Sequence, residues 1–152
     1  MVTRATIAVP DYWDDACKHL GKRDRVMRKL IPKFGEARLQ SRGDAFTTLA
    51  RSIVGQQISV KAAQSVWNRV LEVAPAMTPA AVLAVRRPRL RGCGLSERKT
   101  EYIADLASHF AAGTLHPHRW PQMDDEAVIA ELVAVRGIGR WTAEMFLIFN
   151  LL

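Results

Sequence analysis

A chain of 152 residues is long enough for one domain with a sizeable hydrophobic core. Its apolar fraction of 49% and charged fraction of 24% are typical of a globular protein, and no apolar run reaches the roughly 18 residues of a membrane span. Lysine and arginine number 22 against 15 acidic residues, and this net charge of +7 favours a polyanionic partner, nucleic acid before anionic membrane.

The N-terminus and the cysteine count both indicate a reducing compartment. Residues 1–15 lack the apolar stretch of a signal peptide, so we expect a cytoplasmic protein, associated with the nucleoid if it binds DNA. Cys17 and Cys93 are too few for a four-thiolate metal or iron–sulfur site, and a disulfide is not expected in the cytoplasm. We therefore predict two free thiols and no organic cofactor.

Apolar residues recur with helical spacing along most of the chain, starting with helices at 11–20 and after Asp24. The strongest pattern follows Asp44 and is interrupted at Gly55, and another helix begins near Ser59. The core-facing residues predicted for these two helices are Phe46, Leu49, Ala50, Ile53 and Val54, then Ala63, Val66, Trp67, Val70 and Leu71.

The second half of the chain continues the helical pattern. A short helix starts at Pro79, and Ser96 caps a helix that ends at Gly113. After a loop at 116–123, Asp124 caps a helix that ends near Val135. The inner faces predicted here are Ile103, Leu106, Ala107 and Phe110, then Val128, Ile129, Leu132 and Val133. Without a segment of period two, the sequence predicts an all-α domain.

The most specific pattern is LVAVRGIGRWTA at residues 132–143, a helix end, a glycine-bracketed turn and a new helix. Gly137 and Gly139 permit positive φ and a close approach of the backbone to a ligand, with Ile138 placed as a plug between the helices. The second helix starts with free N–H groups, beside which Arg140 and Thr142 add a charge and a hydroxyl. The pattern predicts a phosphate site, although a simple corner between two helices would use the same glycines.

Four separated motifs carry a resemblance to a known family. The segment LVAVRGIGRWTAEMF resembles the hairpin signature of the helix-hairpin-helix DNA glycosylase superfamily. The segment SIVGQQISVKAA at 52–63 looks like a second signature of its alkylbase branch, the 3-methyladenine DNA glycosylase II type. DYW at 11–13 and GLSERKTEYI at 94–103 are similar to the same branch. The resemblance covers nearly the whole chain.

This resemblance implies a helix-hairpin-helix glycosylase core acting in base excision DNA repair. The expected reaction is hydrolysis of the N-glycosidic bond of an alkylated base in double-stranded DNA, after the base has been flipped out of the helix. We expect a monofunctional hydrolase that is monomeric at full length. The alternative is a non-catalytic DNA-binding module that uses the hairpin for sequence-independent contact with the backbone.

The resemblance also assigns the wedge and the base pocket. Gln57 occupies the family's wedge position, with Ile58 beside it, although these residues could instead cap the helix that begins near Ser59. Trp141 stands where relatives similar to endonuclease III carry a Schiff-base lysine, so a lyase is disfavoured. An indole can stack on an electron-poor alkylated base, although Trp141 could simply belong to the core. Trp67 and Trp120 are predicted core residues, and Tyr102 could serve either purpose.

The family's hairpin holds a monovalent cation, Na⁺ or K⁺, through backbone carbonyls that correspond to Val133, Val135 and Gly137. Arg136 departs from the family, in which a proline is common at this place, and we expect a less rigid turn. The family's catalytic aspartate would lie beyond Leu152, so residues 1–152 are expected to form a glycosylase domain without its C-terminal helices. Glu144 is expected to pair with a neighbouring cation rather than to act in catalysis.

A basic run at residues 86–91, with Arg98 and Lys99 nearby, is either a solvated surface or a set of phosphate contacts, and the sequence leaves both open. Arg51 and Lys61 flank the predicted wedge and carry the same two interpretations.

Overall fold

The computed structural model describes residues 9–152, and this part of the chain is helical with no strand. Its α-helices are α1 Trp13–Arg23, α2 Arg25–Phe34, α3 Ala45–Gly55, α4 Val60–Val73, α5 Pro79–Ala84, α6 Arg87–Gly92, α7 Glu97–Ala112, α8 Asp125–Val133 and α9 Arg140–Phe146. A 3-10 turn spans Trp120–Gln122, and a π-helical segment, Leu147–Leu151, continues α9. The all-α prediction is confirmed. Within the described residues, every helix is too short or too polar to cross a membrane.

Local capping explains why most helices begin where they do. The three side chains predicted as N-caps, Asp24, Ser96 and Asp124, each accept a backbone N–H of the following turn. Asp44 and Ser59 do the same, although they were predicted only as the starts of helices. Gly113 ends α7 in the left-handed conformation, with φ of +67°. The end of α8 was predicted less accurately. The helix stops at Val133 rather than near Val135, and Val133, which was predicted to face the core, is 43% exposed.

The core is centred on α3, which packs against α4, α7 and α9. Its inner face contains Leu49, Ala50 and Ile53, all fully buried as the periodicity predicted. A chain of edge-to-face aromatic contacts crosses this core, with ring centroids 5.3 Å, 6.5 Å and 5.3 Å apart along the series Phe46, Phe110, Trp120 and Phe146. The chain joins α3, α7 and α9, so the rotation of α9 about its axis is fixed by core packing.

Helices α1 and α2 form as predicted but bury no residue completely. They pack mainly against each other. The end of the loop between α2 and α3 makes contacts with the rest of the fold. Within this connection the Arg42 N–H donates to the Phe149 carbonyl at 2.9 Å, and the Arg42 guanidinium lies 4.2 Å from the Phe149 ring centroid. The periodicity therefore predicted helix formation here, whereas the extent of burial depends on contacts that are not local.

A carboxylate on α8 fixes the loop that precedes it. Glu131 accepts hydrogen bonds from the Trp120 indole at 2.7 Å, from the His116 ring Nδ1 at 2.9 Å and from the His116 amide at 3.2 Å. Burial of Glu131 raises its pKa, but the hydrogen bonds from Trp120 and His116 outweigh burial, and the net pKa lies below the ordinary value of 4.5. The loop at 116–123 is thus attached to the helix that leads into the glycine turn.

We predict that Glu131→Gln lowers the free energy of unfolding at neutral pH by about 2 kcal/mol, since hydrogen bonds to charged groups contribute about that much. Because the folded pKa of Glu131 is depressed, its contribution exists above pH 4.5 and is lost as pH falls through the folded value. Urea denaturation at several pH values should therefore show the difference between wild type and variant shrinking below pH 4.5. Asp125→Asn, an exposed change on the same helix, is the control, and an equal effect of both variants would contradict the prediction.

Candidate nucleic-acid interface

The predicted hairpin consists of α8, a turn at residues 134–139 and α9. Ile138 is 4% exposed and belongs to the core, in the position expected of a plug. Its amide is not free for a ligand, because it donates to the Val135 carbonyl at 3.1 Å. The plug position agrees with the prediction, whereas phosphate binding by the turn stays a prediction that would draw on its other amides.

Other amides of the turn are open. Gly139 is the N-cap of α9 and offers no capping side chain, in contrast to the N-caps of α2 to α5, α7 and α8. The first amide of α9 with a helical partner is that of Ala143, which donates to the Gly139 carbonyl at 3.0 Å. Among the described residues, no acceptor bonds the amides of Gly137 and Gly139, and the first three amides of α9 precede the helical ladder. These N–H groups form a donor set for an anion.

The two glycines have different roles. Gly137 has φ of +86°, and a Cβ atom there would lie 2.2 Å from Cδ2 of Tyr102, so the Tyr102 ring packs directly on the turn backbone. Gly139 has φ of −92°, and a Cβ atom there would meet nothing within 4 Å. Of the two glycines that permit positive φ, only Gly137 adopts it. Tyr102, left open by the sequence, is a support of the turn.

Arg136 anchors the turn instead of loosening it. Its backbone N–H donates to Oδ2 of Asp105 on α7 at 2.9 Å, and its guanidinium Nε lies 3.5 Å from Oδ1 of the same carboxylate. A proline at this position would lack the N–H that makes the first of these bonds. The expectation of reduced rigidity did not take account of this carboxylate from another helix, which holds the turn in place of a proline ring.

The side chains at the start of α9 are already paired or covered in the structure, and their contact with phosphate stays a prediction. Arg140 donates to Glu126 at 3.0 Å and to Glu144 at 2.9 Å, and these hydrogen bonds raise the pKa of its guanidinium further above its ordinary range. Arg140 is therefore a paired cation rather than the free one expected for phosphate, and Glu144 pairs with a cation as predicted. Thr142 is only 9% exposed, so its hydroxyl offers little surface to a DNA strand.

Trp141 lies on the outer face of α9 and is 70% exposed, so the alternative that it belongs to the core is wrong. Trp67 and Trp120 are buried core residues, as predicted.

The predicted wedge lies in the loop between α3 and α4, residues 56–59. Gln57 and Ile58 are exposed, and Gln57 has φ of +57°, a left-handed conformation that residues other than glycine seldom adopt. Neither glutamine caps α4, because the Ser59 hydroxyl accepts the Ala62 amide at 3.2 Å. Gln56 contacts protein instead, and its Nε2 donates to the Gly137 carbonyl at 2.8 Å. The sequence did not predict this bond between the wedge loop and the hairpin.

The wedge loop and the hairpin form two sides of an open cleft of about 450 Å³. It is lined by Gln56, Gln57, Ser96, Arg98, Lys99, Tyr102, Gly137, Ile138 and Gly139. The structure therefore brings together the predicted wedge and the predicted phosphate site, with two cations from the first turn of α7. Trp141 lies outside this lining.

The basic run forms α6 and the residue before it. Arg91 pairs with Glu97 at 2.8 Å. Arg86, Arg87 and Arg89 are exposed and make no ion pair with any described residue. Of the two cations that flank the wedge, Arg51 bonds to Gln64, while Lys61 is exposed. Phosphate contact by these residues stays a prediction.

Two helices joined by a glycine turn form a helix-hairpin-helix unit, and the open amides of this turn suit a phosphate. The family profile of the "HhH-GPD superfamily base excision DNA repair protein" matches residues 50–144, more than half of the chain. The chain belongs to this superfamily.

Solved structures and curated sequences give the same relationship. A DNA-3-methyladenine glycosidase from Bacillus halodurans is 32% identical, with a TM-score of 0.79 over 97% of this chain and 68% of that one. A Schizosaccharomyces pombe 3-methyladenine DNA glycosylase in complex with abasic DNA is 28% identical, with a TM-score of 0.78 over 90% of this chain and 70% of that one. A DNA-3-methyladenine glycosylase of Saccharomyces cerevisiae is 33% identical over 90% of this chain and 52% of its own length. The chain spans about half the length of the curated relatives it matches.

We predict that Gly137→Ala destabilises the fold by at least about 2 kcal/mol, because it combines a left-handed backbone with a clash against the Tyr102 ring. Gly139→Ala is the matched control in the same turn, and its unfolding midpoint should stay close to that of the wild type. Chemical denaturation of the three proteins provides the measurement. Equal stability of the two variants would show that Tyr102 and the positive φ do not constrain the turn.

Proposed function

We propose that this chain is the DNA-binding part of a DNA-3-methyladenine glycosylase that removes alkylated bases from double-stranded DNA by hydrolysis. The observation that carries the proposal is the bond between Gln56 and the Gly137 carbonyl, which fixes an exposed wedge loop beside a turn with open amides. An enzyme that extrudes a nucleotide needs both parts at once, one to hold the strand and one to fill the gap.

The hairpin is the part that holds the strand. Because Arg140 is neutralised by Glu126 and Glu144, the attraction for phosphate comes from the backbone amides at Gly139 and the first turn of α9, together with the positive end of that helix. Contacts of this kind bind any sequence, as repair of scattered lesions requires.

A monovalent cation would add to this anchor, with the carbonyls of Val133, Val135 and Gly137 as its ligands. The carbonyl of Val133 ends α8 and accepts no turn amide among the described residues, while those of Val135 and Gly137 each accept one hydrogen bond and keep a second lone pair. Neutral carbonyl oxygens suit Na⁺ or K⁺, and such an ion would supply positive charge beside the bound phosphate.

The wedge and the exposed indole act on the other parts of the nucleotide. Gln57 and Ile58 protrude from the loop and would occupy the space that the flipped base leaves. Trp141 would stack on the flipped base, and a positive charge from alkylation strengthens this contact and makes the base a better leaving group. Since an indole forms no Schiff base, the proposed reaction is hydrolysis without strand cleavage.

The carboxylate that assists hydrolysis is not assigned to any residue of this chain. Glu144 is bonded to Arg140 at 2.9 Å and is therefore not free to stabilise a sugar cation. For this reason we expect the 152-residue chain to bind lesions without turnover. A cytoplasmic, nucleoid-associated location and a monomeric full-length protein belong to the same proposal.

Binding to duplex DNA tests the proposal directly. Fluorescence anisotropy should show a higher affinity for a duplex with an abasic-site analogue than for the intact duplex, and both affinities should fall steeply with salt. Equal affinity for the two duplexes would favour the alternative, a non-catalytic module that contacts only the backbone. Release of 3-methyladenine from methylated DNA, measured by chromatography, would contradict the expectation of binding without turnover.

We predict that Trp141→Ala weakens binding to a duplex with a hydrolysis-resistant 3-methyladenine analogue about tenfold, because loss of stacking on one base costs about 1–3 kcal/mol. The intact duplex should be bound as before, since its bases stay in the helix. Tyr12→Ala, which removes another exposed aromatic side chain, is the control and should leave both affinities unchanged. An equal loss of affinity for both duplexes would contradict the assignment of Trp141 to the base pocket.

A further inference from the structure

One face of α7 contacts both DNA-facing loops. Lys99, Tyr102 and Asp105 follow one another at three-residue spacing, which places them on the same side of the helix. Tyr102 packs on Gly137, and Asp105 accepts the Arg136 amide, so these two residues support the hairpin. Lys99 reaches in the other direction, to the end of α3 and the start of the wedge loop.

The ammonium group of Lys99 is engaged by the protein itself. Its Nζ donates to the Val54 carbonyl at 2.8 Å and to the Gln56 carbonyl at 2.6 Å, which lie at the C-terminal end of α3. Among the described residues Lys99 has no carboxylate partner, so the negative end of the helix dipole balances its charge. Lys99 is half-buried, and this partial burial lowers the pKa of its ammonium group, because burial disfavours the charged form.

The residue that Lys99 holds is also the residue that bonds the hairpin. Gln56 accepts from Lys99 through its carbonyl and donates to the Gly137 carbonyl through its side chain. The next residue, Gln57, has the unusual φ of +57°, a conformation that persists only when its surroundings impose it. A loop freed from Lys99 would relax toward more common backbone angles and move the wedge relative to the turn.

We infer that Lys99 is a positioning residue that holds the wedge loop at a fixed place beside the hairpin. It does so through the Gln56 backbone and does not itself contact DNA. The inference rests on the proposed function and extends it, since insertion of Gln57 and capture of the phosphate then depend on one shared support. Arg98, the neighbour of Lys99, lines the same cleft and is exposed. It forms no hydrogen bond or ion pair with another described residue, so its charge is available to a phosphate.

The variant Lys99→Met keeps the length of the side chain and removes the two hydrogen bonds. Its preference for an abasic duplex over an intact duplex should fall about tenfold. The free energy of a hydrogen bond from a charged donor corresponds to at least a tenfold change in an equilibrium constant. Its affinity for intact DNA and the salt dependence of that affinity should match the wild type. Arg98→Met is the matched control and should weaken binding to both duplexes equally, with a salt slope reduced by about one.

Hydrogen exchange of the protein without DNA distinguishes a role of Lys99 in holding the wedge loop from a direct contact with DNA. In Lys99→Met the amides of residues 55–58 should exchange faster than in wild type, whereas Arg98→Met should leave them unchanged. Gln56→Met, which retains Lys99 and removes the bond to Gly137, should reproduce the loss of preference, because it breaks the second link between Lys99 and the hairpin. If Lys99→Met does not fold, Lys99→Gln, which removes the charge and shortens the side chain, serves in its place with the same expected results.

The possible outcomes are distinct. A wild-type protein without preference for the abasic duplex would reject the proposed function, and the exchange rates would still decide whether Lys99 supports the loop. A wild-type preference that Lys99→Met retains would overturn the inference alone. A uniform loss of affinity in Lys99→Met, with a reduced salt slope and unchanged exchange, would make Lys99 a phosphate contact like Arg98 and would also overturn it.

Discussion

The close approach of the Tyr102 ring to the backbone of Gly137 is the contact on which the geometry of the site depends. No other residue type fits there, because any Cβ would overlap the ring. The approach seats the turn on α7, directs the amides of Gly139 and the first turn of α9 outward, and places the Gly137 carbonyl within reach of Gln56. The absence of a side chain at Gly137 therefore allows the turn to pack on the core while it contacts the wedge loop and exposes its amides.

Under the proposed function, the charges around the hairpin suit contact with a strand backbone rather than with particular bases. Two carboxylates neutralise the cation at the start of α9, so the attraction that remains there comes from dipoles that are fixed in direction. Arg98 at the cleft and Arg87 and Arg89 of α6 are exposed and form no ion pair with any residue that the structure describes. Such an arrangement would separate the directed contacts that set the position of a strand from the exposed charges that attract it over a longer distance.

Features that depend on local sequence were predicted well. Capping by Asp24 and Ser96 needs only the neighbouring amides, and the buried face of α3 follows from a periodicity in eleven consecutive residues. Features that depend on a distant partner were missed. The pairing of Arg140 with Glu126, the anchoring of Arg136 by Asp105 and the bond from Gln56 to Gly137 each join residues that only the folded chain brings together. The motifs therefore located the site, but could not show which of its groups were already engaged.

The exposure of Trp141 follows from this distinction between local pattern and tertiary packing. A tryptophan in the first turn of an amphipathic helix fits either the core or the surface, and its own position does not decide between them. The core decides, because Phe146 packs against Trp120 and Ala143 is fully buried, and these contacts fix the rotation of α9. With that rotation fixed, the indole must face outward beside the open amides of its own helix. Under the proposed function, a large apolar surface next to the open amides matches the two parts of a nucleotide, a flat base and its phosphate, and the packing that excludes Trp141 from the core would place it where a base can cover it.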